Sequence, residues 1–251
     1  MAAEIKRRKI LVLGATSALG YEALKHFAKD GDQFFLVARN PKRLETVADD
    51  LKVRGAGKVE TLQADFNDFD RHPKLIAQAV SALGGLTTVL IAHGLLPDQG
   101  ACQKDYALTE EALRVNFLSE VSLLTIIANQ FEEQKQGEIA VITSVAGDRG
   151  RASSYVYASA KAALDTFLSG LRNRLAKSNV QVLTIKPGLI ETPMTANLER
   201  KPLIVKPTGV GRDIYKAILK KKEVLYTPWW WRIIMAVLVC IPEKIFKRTN
   251  L

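Results

Sequence analysis

The chain has 251 residues, 47% of them hydrophobic, and 36 Lys and Arg against 26 Asp and Glu give a formal net charge of +10. That length and apolar content suit one large packed α/β domain, while two distant cysteines, Cys102 and Cys240, exclude a disulfide framework and any metal-ligand spacing and fit a reducing compartment. The positive balance fits an anionic membrane or a phosphorylated ligand; no base-reading motif appears, so nucleic acid is set aside.

The start, MAAEIKRRK, is basic but runs straight into a strand, so no secretion signal is expected and the chain reads as cytoplasmic. Ile10-Leu11-Val12-Leu13 is an all-apolar run, the mark of a parallel strand buried on both faces. Gly14-Ala15-Thr16-Ser17-Ala18-Leu19-Gly20 follows. Residues 21–29 then place Leu24, Phe27 and Ala28 on one helix face. A glycine turn between strand and helix gathers backbone N–H groups and the helix dipole at one point, which suits a pyrophosphate.

Residues 34–37 form a second strand, ending at Ala38-Arg39-Asn40. A dinucleotide-binding unit for NAD carries an acid here, for the ribose hydroxyl. This chain has Arg39, with Lys42 and Arg43 behind it, which favours the 2′-phosphate of NADP(H) over NAD(H). The alternative is that the three cations only solvate the next helix, residues 44–53. Residues 59–62 form a third strand, followed by Ala64-Asp65-Phe66, where Asp65 by itself reads as a cap or turn aspartate.

Residues 71–83 read as a helix, and residues 88–92 as a strand ending at His93-Gly94. Residues 98–105 read as a loop, after which Thr109 is expected to cap a long helix containing Asn116. A buried asparagine inside a helix needs a reason, because it competes for backbone hydrogen bonds. Residues 139–144 form a strand with Ser144 at its carboxyl end, the edge where open parallel sheets bind ligands. Tyr157 and Lys161, four apart, share a helix face. The lysine is expected to favour the phenolate and bring the tyrosine down from ~10, making it a proton shuttle. Tyr155 lies off that face, and Ala162, Ala163 and Phe167 continue an apolar stripe.

Residues 180–185 form the sixth strand, followed by Lys186-Pro187-Gly188. Residues 189–202 follow, with Thr192, Met194 and Leu198 among them. Residues 210–222 form a helix and residues 224–226 a last strand. The tail then runs through Pro228-Trp229-Trp230-Trp231-Arg232, an apolar stretch and a basic end. The stretch is shorter than the ~20 residues that span a bilayer. Clustered tryptophans beside arginine belong at a membrane–water interface, and flanking cations favour anionic lipid. The alternative is a helix packed on the core or on a partner subunit.

Together, the glycine turn, Ser144, Tyr157-x-x-x-Lys161 and Pro187-Gly188 resemble the short-chain dehydrogenase/reductase family over residues 9–195. Gly14 and Gly20 stand at the first and last glycines of its T-G-x-x-x-G-x-G turn; Ala18 replaces the middle glycine and Leu13 the threonine. The resemblance implies an α/β, single Rossmann-fold domain over residues 1–227, a doubly wound parallel sheet of about seven strands with helices on both faces. Residues 228–251 form the tail.

It further implies an NADP(H)-dependent oxidoreductase without a metal, interconverting a ketone and a secondary alcohol. Tyr157 would donate the proton, Lys161 would support it, Ser144 would orient the carbonyl, and Asn116 would hold a water linking Lys161 to solvent. Cofactor contacts would come from Gly14, Thr16, Ser17, Ala18, Leu19, Gly20, Arg39, Asp65, Phe66, His93, Gly94, Tyr157, Lys161, Pro187, Gly188 and Thr192. Here His93 replaces a small residue or an amide, and reads as a structural imidazole within reach of cofactor or substrate. The likeness of the Pro187-Gly188 turn implies that residues 189–202 form a mobile cover over the substrate, apolar on its inner face through Met194 and Leu198, and that Thr192 meets a carboxamide or a phosphate. A homodimer or homotetramer is implied.

The tail and the stretch Ala92-His93-Gly94-Leu95-Leu96-Pro97-Asp98-Gln99 resemble the branch containing decaprenylphosphoryl-keto-pentose reductases. That implies a lipid-linked keto-sugar or another lipophilic carbonyl or alcohol, met at the inner face of a membrane. A non-catalytic dinucleotide sensor is the competing reading; such proteins tend to lose the tyrosine or the lysine, and this chain keeps both.

Overall fold

The computed structural model describes residues 7–196 and 203–249. Seven strands, β1 (Lys9–Leu13), β2 (Gln33–Ala38), β3 (Lys58–Gln63), β4 (Thr88–Ile91), β5 (Gly137–Ile142), β6 (Val180–Pro187) and β7 (Val224–Thr227), form one parallel sheet in the order β3-β2-β1-β4-β5-β6-β7. Val12 pairs with Leu36 on one side and Leu90 on the other. The connections after β1 and β4 therefore leave in opposite directions, and the crevice between them opens at the carboxyl edge.

Helices cover both faces. On one side lie α1 (Ala18–Lys29), α2 (Pro41–Val53) and α8 (Pro207–Leu219); on the other lie α3 (His72–Leu83), α6 (Ser119–Gln134) and α7 (Tyr155–Leu175). Ile10 and Val12 pack with Leu24, Phe27, Ile214 and Ile218. Leu11 and Leu13 pack with Leu75, Leu123, Leu164 and Leu168. Each side chain fully removed from water contributes about 1.5–3 kcal/mol, so a strand between two helix layers has no use for polar alternation. At the edge, β3 leaves Lys58 and Glu60 exposed.

Several local expectations give way. Within residues 98–105 the chain forms a short helix, α4 (Gln99–Cys102), because Asp98 Oδ1 accepts from Ala101 N at 2.8 Å. Four residues are too few to show a period. Next, α5 (Tyr106–Leu113) begins earlier than expected: Asp105 caps it, accepting from Ala107 N at 2.9 Å. Thr109 is therefore inside the helix, its hydroxyl donating to Cys102 O at 3.1 Å. Arg114–Leu118 widens into a π-helical turn that contains Asn116.

The strand before Ser144 stops at Ile142, and Ser144 instead caps a 3-10 turn, Val145–Asp148, its Oγ accepting from Ala146 N at 3.1 Å. The buried stripe of α7 is Leu164, Leu168, Leu171 and Leu175, while Ala162, Ala163 and Phe167 are half-buried. Leu198 and Pro202 lie outside the described residues. The chain closes with α9 (Trp231–Cys240) and α10 (Glu243–Phe246).

Candidate active site

A cavity of about 770 Å³ lies along the carboxyl edge of the sheet. The ends of β1, β2, β4, β5 and β6 all contribute to its wall. At the end of β1, Gly14 has φ +91, and a Cβ there would stand 2.5 Å from His93 N. Only glycine fits that approach, which lets the turn Gly14–Leu19 follow the cavity wall. Thr16, Ser17, Ala18 and Leu19 line it; Gly20 does not, being buried against Ala92. At the end of β2, Arg39 and Arg43 line the same wall. Neither has a carboxylate partner among the described residues, and Arg43 Nη2 reaches only Thr16 O, at 3.4 Å. Asp65 lines the cavity beside Phe66 and accepts from Asn67 N at 2.9 Å, forming a turn.

At the other end stand Ser144, Tyr157 and Lys161. Helix α7 carries the last two near its start, one turn apart. Lys161 is only 2% exposed, and its Nζ donates to Glu120 Oε1 at 2.9 Å and to Ile142 O at 3.4 Å. Glu120 is 0% exposed and was missed in the sequence. Its signal was its spacing, one turn after Asn116 and hence on the same face of the helical stretch. Asn116 itself lies beneath the cavity. Its Oδ1 accepts from Leu95 N at 3.0 Å and its Nδ2 donates to Ala112 O at 2.9 Å. The side chain therefore holds the segment after β4, and the polar partner of Lys161 is Glu120.

The electrostatics differ from the expectation that Lys161 would pull Tyr157 down. Burial raises Tyr157 above its ordinary value, with Lys161 and the Ser144 hydroxyl opposing and Glu120 and Asp165 adding. Burial likewise pushes Glu120 up to about 7 against the pull of Lys161. Lys161 is raised: burial opposes its charge, but Glu120 and Tyr157 outweigh it. Burial, with Lys161 nearby, depresses His93 to about 3, so the imidazole is neutral. Ser119 Oγ donates its one hydrogen to Val115 O at 2.9 Å, so at 2.9 Å from His93 Nε2 it accepts. The ring stacks on Phe66 with centroids 4.2 Å apart. His93 is thus a fixed wall of the cavity, joined there by Gly94.

The family model for short chain dehydrogenases matches residues 8–203. This chain belongs to the short-chain dehydrogenase family. It is 34% identical to an uncharacterised oxidoreductase of Mycobacterium tuberculosis, over 95% of this chain and 96% of that one. It is 30% identical to an uncharacterised oxidoreductase of Streptomyces coelicolor, over 96% and 95%. A solved short-chain dehydrogenase from Sphingobium yanoikuyae, in complex with NADPH, shares the fold with a TM-score of 0.80 at 21% identity, over 93% and 96%. The protein is therefore an NAD(P)-dependent oxidoreductase.

Beyond the end of β6, Pro187, Gly188, Leu189, Thr192 and Met194 line the cavity together with Trp231. A Cβ on Gly188 would lie 1.9 Å from Trp231 Nε1, so glycine is what lets the indole lie against the backbone. Trp231 and Met235 bury one face of α9 against Val145. Arg149, from the loop between Ser144 and Tyr157, secures the far end of that helix. Its Nη1 donates to the carbonyls of Leu238 at 2.5 Å and Ile241 at 2.6 Å, and its guanidinium stacks 3.7 Å from the Phe246 ring. Neither Arg149 nor Trp231 is legible in the sequence as part of this region, because the contacts join Arg149 to Leu238 and Gly188 to Trp231, far apart along the chain. The opposite face of α9 exposes Ile233 and Val237. Among the described residues, no helix is long and apolar enough to cross a membrane.

Proposed function

We propose that this dehydrogenase uses NADP(H) to reduce the carbonyl of a lipophilic ketone, or to oxidise the matching secondary alcohol. The observation that carries the reading is the convergence of Ser144, Tyr157 and Lys161 on one cavity whose far end presents Arg39 and Arg43. The cofactor supplies the hydride when bound. Gly14, Thr16, Ser17, Ala18 and Leu19 would hold its pyrophosphate through backbone N–H groups at the start of α1. Arg39 and Arg43 would take the 2′-phosphate, Asp65 and Phe66 the adenine end, and His93 and Gly94 the ribose nearer the reacting carbon. Pro187, Gly188 and Thr192 would flank the nicotinamide amide.

In reduction, the Tyr157 hydroxyl gives its proton to the carbonyl oxygen as the carbon accepts hydride. The Ser144 hydroxyl donates to that same oxygen and aligns it. Lys161 would stabilise the phenolate left on Tyr157 and would bond the nicotinamide ribose. Asn116 acts from behind by holding the backbone at Leu95, between the cavity-lining Gly94 and Leu96. A sensor without chemistry would have no need for Tyr157 and Lys161 together.

Leu189, Ile190, Met194 and Trp231 make the substrate wall apolar, which suits a lipid or a lipid-linked sugar ketone. The exposed faces of Trp229, Ile233, Val237 and Ile245 stand beside Arg232, Lys244, Lys247 and Arg248. Residues 228–251 would thus rest the catalytic part, residues 1–227, on an anionic membrane surface. The test is NADPH oxidation with keto-lipids, keto-sugars and steroids in detergent, native protein against Tyr157→Phe. A ketone turned over by the native protein and not by the variant supports the reading; equal turnover by both sinks it.

A further inference from the structure

In this chain the cation beside Tyr157 does not stand alone. The side chains of Lys161 and Glu120 are 3% and 0% exposed and form an ion pair at 2.9 Å. Glu120 Oε2 has no hydrogen-bond partner among the described residues. Water cannot screen a carboxylate in such a place, so its field acts at close range on whatever lies next to it. Asp165, one turn beyond Lys161 on α7, is held instead by Lys186 at 2.8 Å, and Lys186 also bonds Asp148 at 2.5 Å. The charges around Tyr157 are thus Lys161 and Asp165 from its own helix and Glu120 from α6. Behind them stand Lys186 from β6 and Asp148 from the turn before α7.

We propose that Glu120 is a positioning residue that keeps the Tyr157 hydroxyl protonated and so sets the site for ketone reduction rather than alcohol oxidation. The proposal rests on Tyr157 being the proton donor. Glu120 acts through Lys161. An ammonium alone would draw Tyr157 toward phenolate, but a carboxylate 2.9 Å from that ammonium offsets part of its pull. Burial of the phenol then decides, and burial favours the neutral hydroxyl. Reduction needs that proton on Tyr157, to give to the nascent alkoxide. Oxidation needs the phenolate, to take a proton from the alcohol. A site built this way reduces ketones well into the alkaline range and oxidises alcohols only above it. Glu120 also fixes the amine in place, because Lys161 Nζ is held between Glu120 Oε1 and Ile142 O.

The test is an ultraviolet tyrosinate titration of the full-length protein, reading Tyr157 as the difference between each protein and its Tyr157→Phe counterpart. In otherwise native protein the Tyr157 increment should appear at or above the ordinary value of ~10. In Glu120→Gln it should move down by at least about one pH unit, and Glu120→Asp should restore most of it. The pH at which alcohol oxidation begins should fall by the same shift, a change that a merely structural role would not produce. An increment already complete below about pH 8 in native protein, or one that stays in place in Glu120→Gln, overturns the proposal. Should Glu120→Gln fail to fold, the native titration decides alone. Because the titration needs no substrate, its failure is separate from that of the proton-donor assignment, which falls if Tyr157→Phe keeps its turnover.

Discussion

The two ends of the cavity hold positive charge in opposite ways. Beyond β2, Arg39 and Arg43 stand in water with no carboxylate partner among the described residues. Beneath Tyr157, Lys161 is buried and Lys186 partly buried, and each is paired: Lys161 with Glu120, Lys186 with Asp148 and Asp165. A cation in water costs little to leave free and remains available to an arriving anion. A cation withdrawn from water must be neutralised where it stands, or the fold loses several kcal/mol. On the proposed reading, the first arrangement recruits a phosphate. The second sets where a proton rests.

Breaking the buried end should have the largest effect. Lys161→Ala leaves Glu120 as an unpaired buried carboxylate, at a cost of about 3–5 kcal/mol in urea unfolding at pH 8. The loss should shrink at pH 5, because burial raises Glu120 and the unpaired group then takes up a proton. A loss that is the same at both pH values would mean that the pair is not what the lysine supports. At the free end, Arg39→Asp should weaken NADPH binding by about 10- to 100-fold, the worth of charge-assisted hydrogen bonds to a phosphate, and leave NADH nearly unchanged. Parallel weakening of both coenzymes would remove Arg39 from the phosphate site.

A third comparison concerns Arg149, a surface-derived cation recruited as a clamp on α9. Arg149→Ala should cost about 1–3 kcal/mol and release the tail to proteolysis before the rest of the chain. Simultaneous cleavage throughout would show that the clamp is not local.

The smallest effect is expected at Asp32, a carboxylate with no cation against its buried oxygen. Asp32 Oδ1 accepts from Arg8 N at 2.7 Å and Oδ2 has no partner. Burial pushes this group from 3.8 up to about 6. A raised carboxylate favours the folded state while it is protonated. Its contribution is full below 3.8 and is lost as the pH rises through about 6. Asp32→Asn should therefore raise the thermal midpoint at pH 8 by a few degrees, at about 2–4 °C per kcal/mol, and change little at pH 4. A gain at pH 4 as large as at pH 8 would contradict the sign.

The free end was far more legible in the sequence than the buried one. Arg39 and Gly14 announce themselves because strand, turn and helix follow one another locally, and the unbroken apolar strands reveal a sheet covered on both faces. Tyr157 and Lys161 were legible as a pair, since four residues on a helix fix their geometry. Glu120 was not: its partner is forty-one residues away, and an isolated glutamate reads as solvated surface. The same blindness hid Trp231 against Gly188. The hydroxyl of Thr109 has the chemistry of a cap, yet Asp105, four residues earlier, opens the helix. Asn116 was placed in the right helical stretch, but what its amide holds depends on where the chain after β4 passes.

Isothermal titration of the native protein with NADPH and with NADH, at low and at high salt, tests the contrast between the two ends most directly. If Arg39 and Arg43 are free to take a 2′-phosphate, NADPH binds at least ~10-fold more tightly at low salt and the gap narrows as salt screens these exposed cations. Equal affinities at low salt, or a preference for NADH, would contradict it.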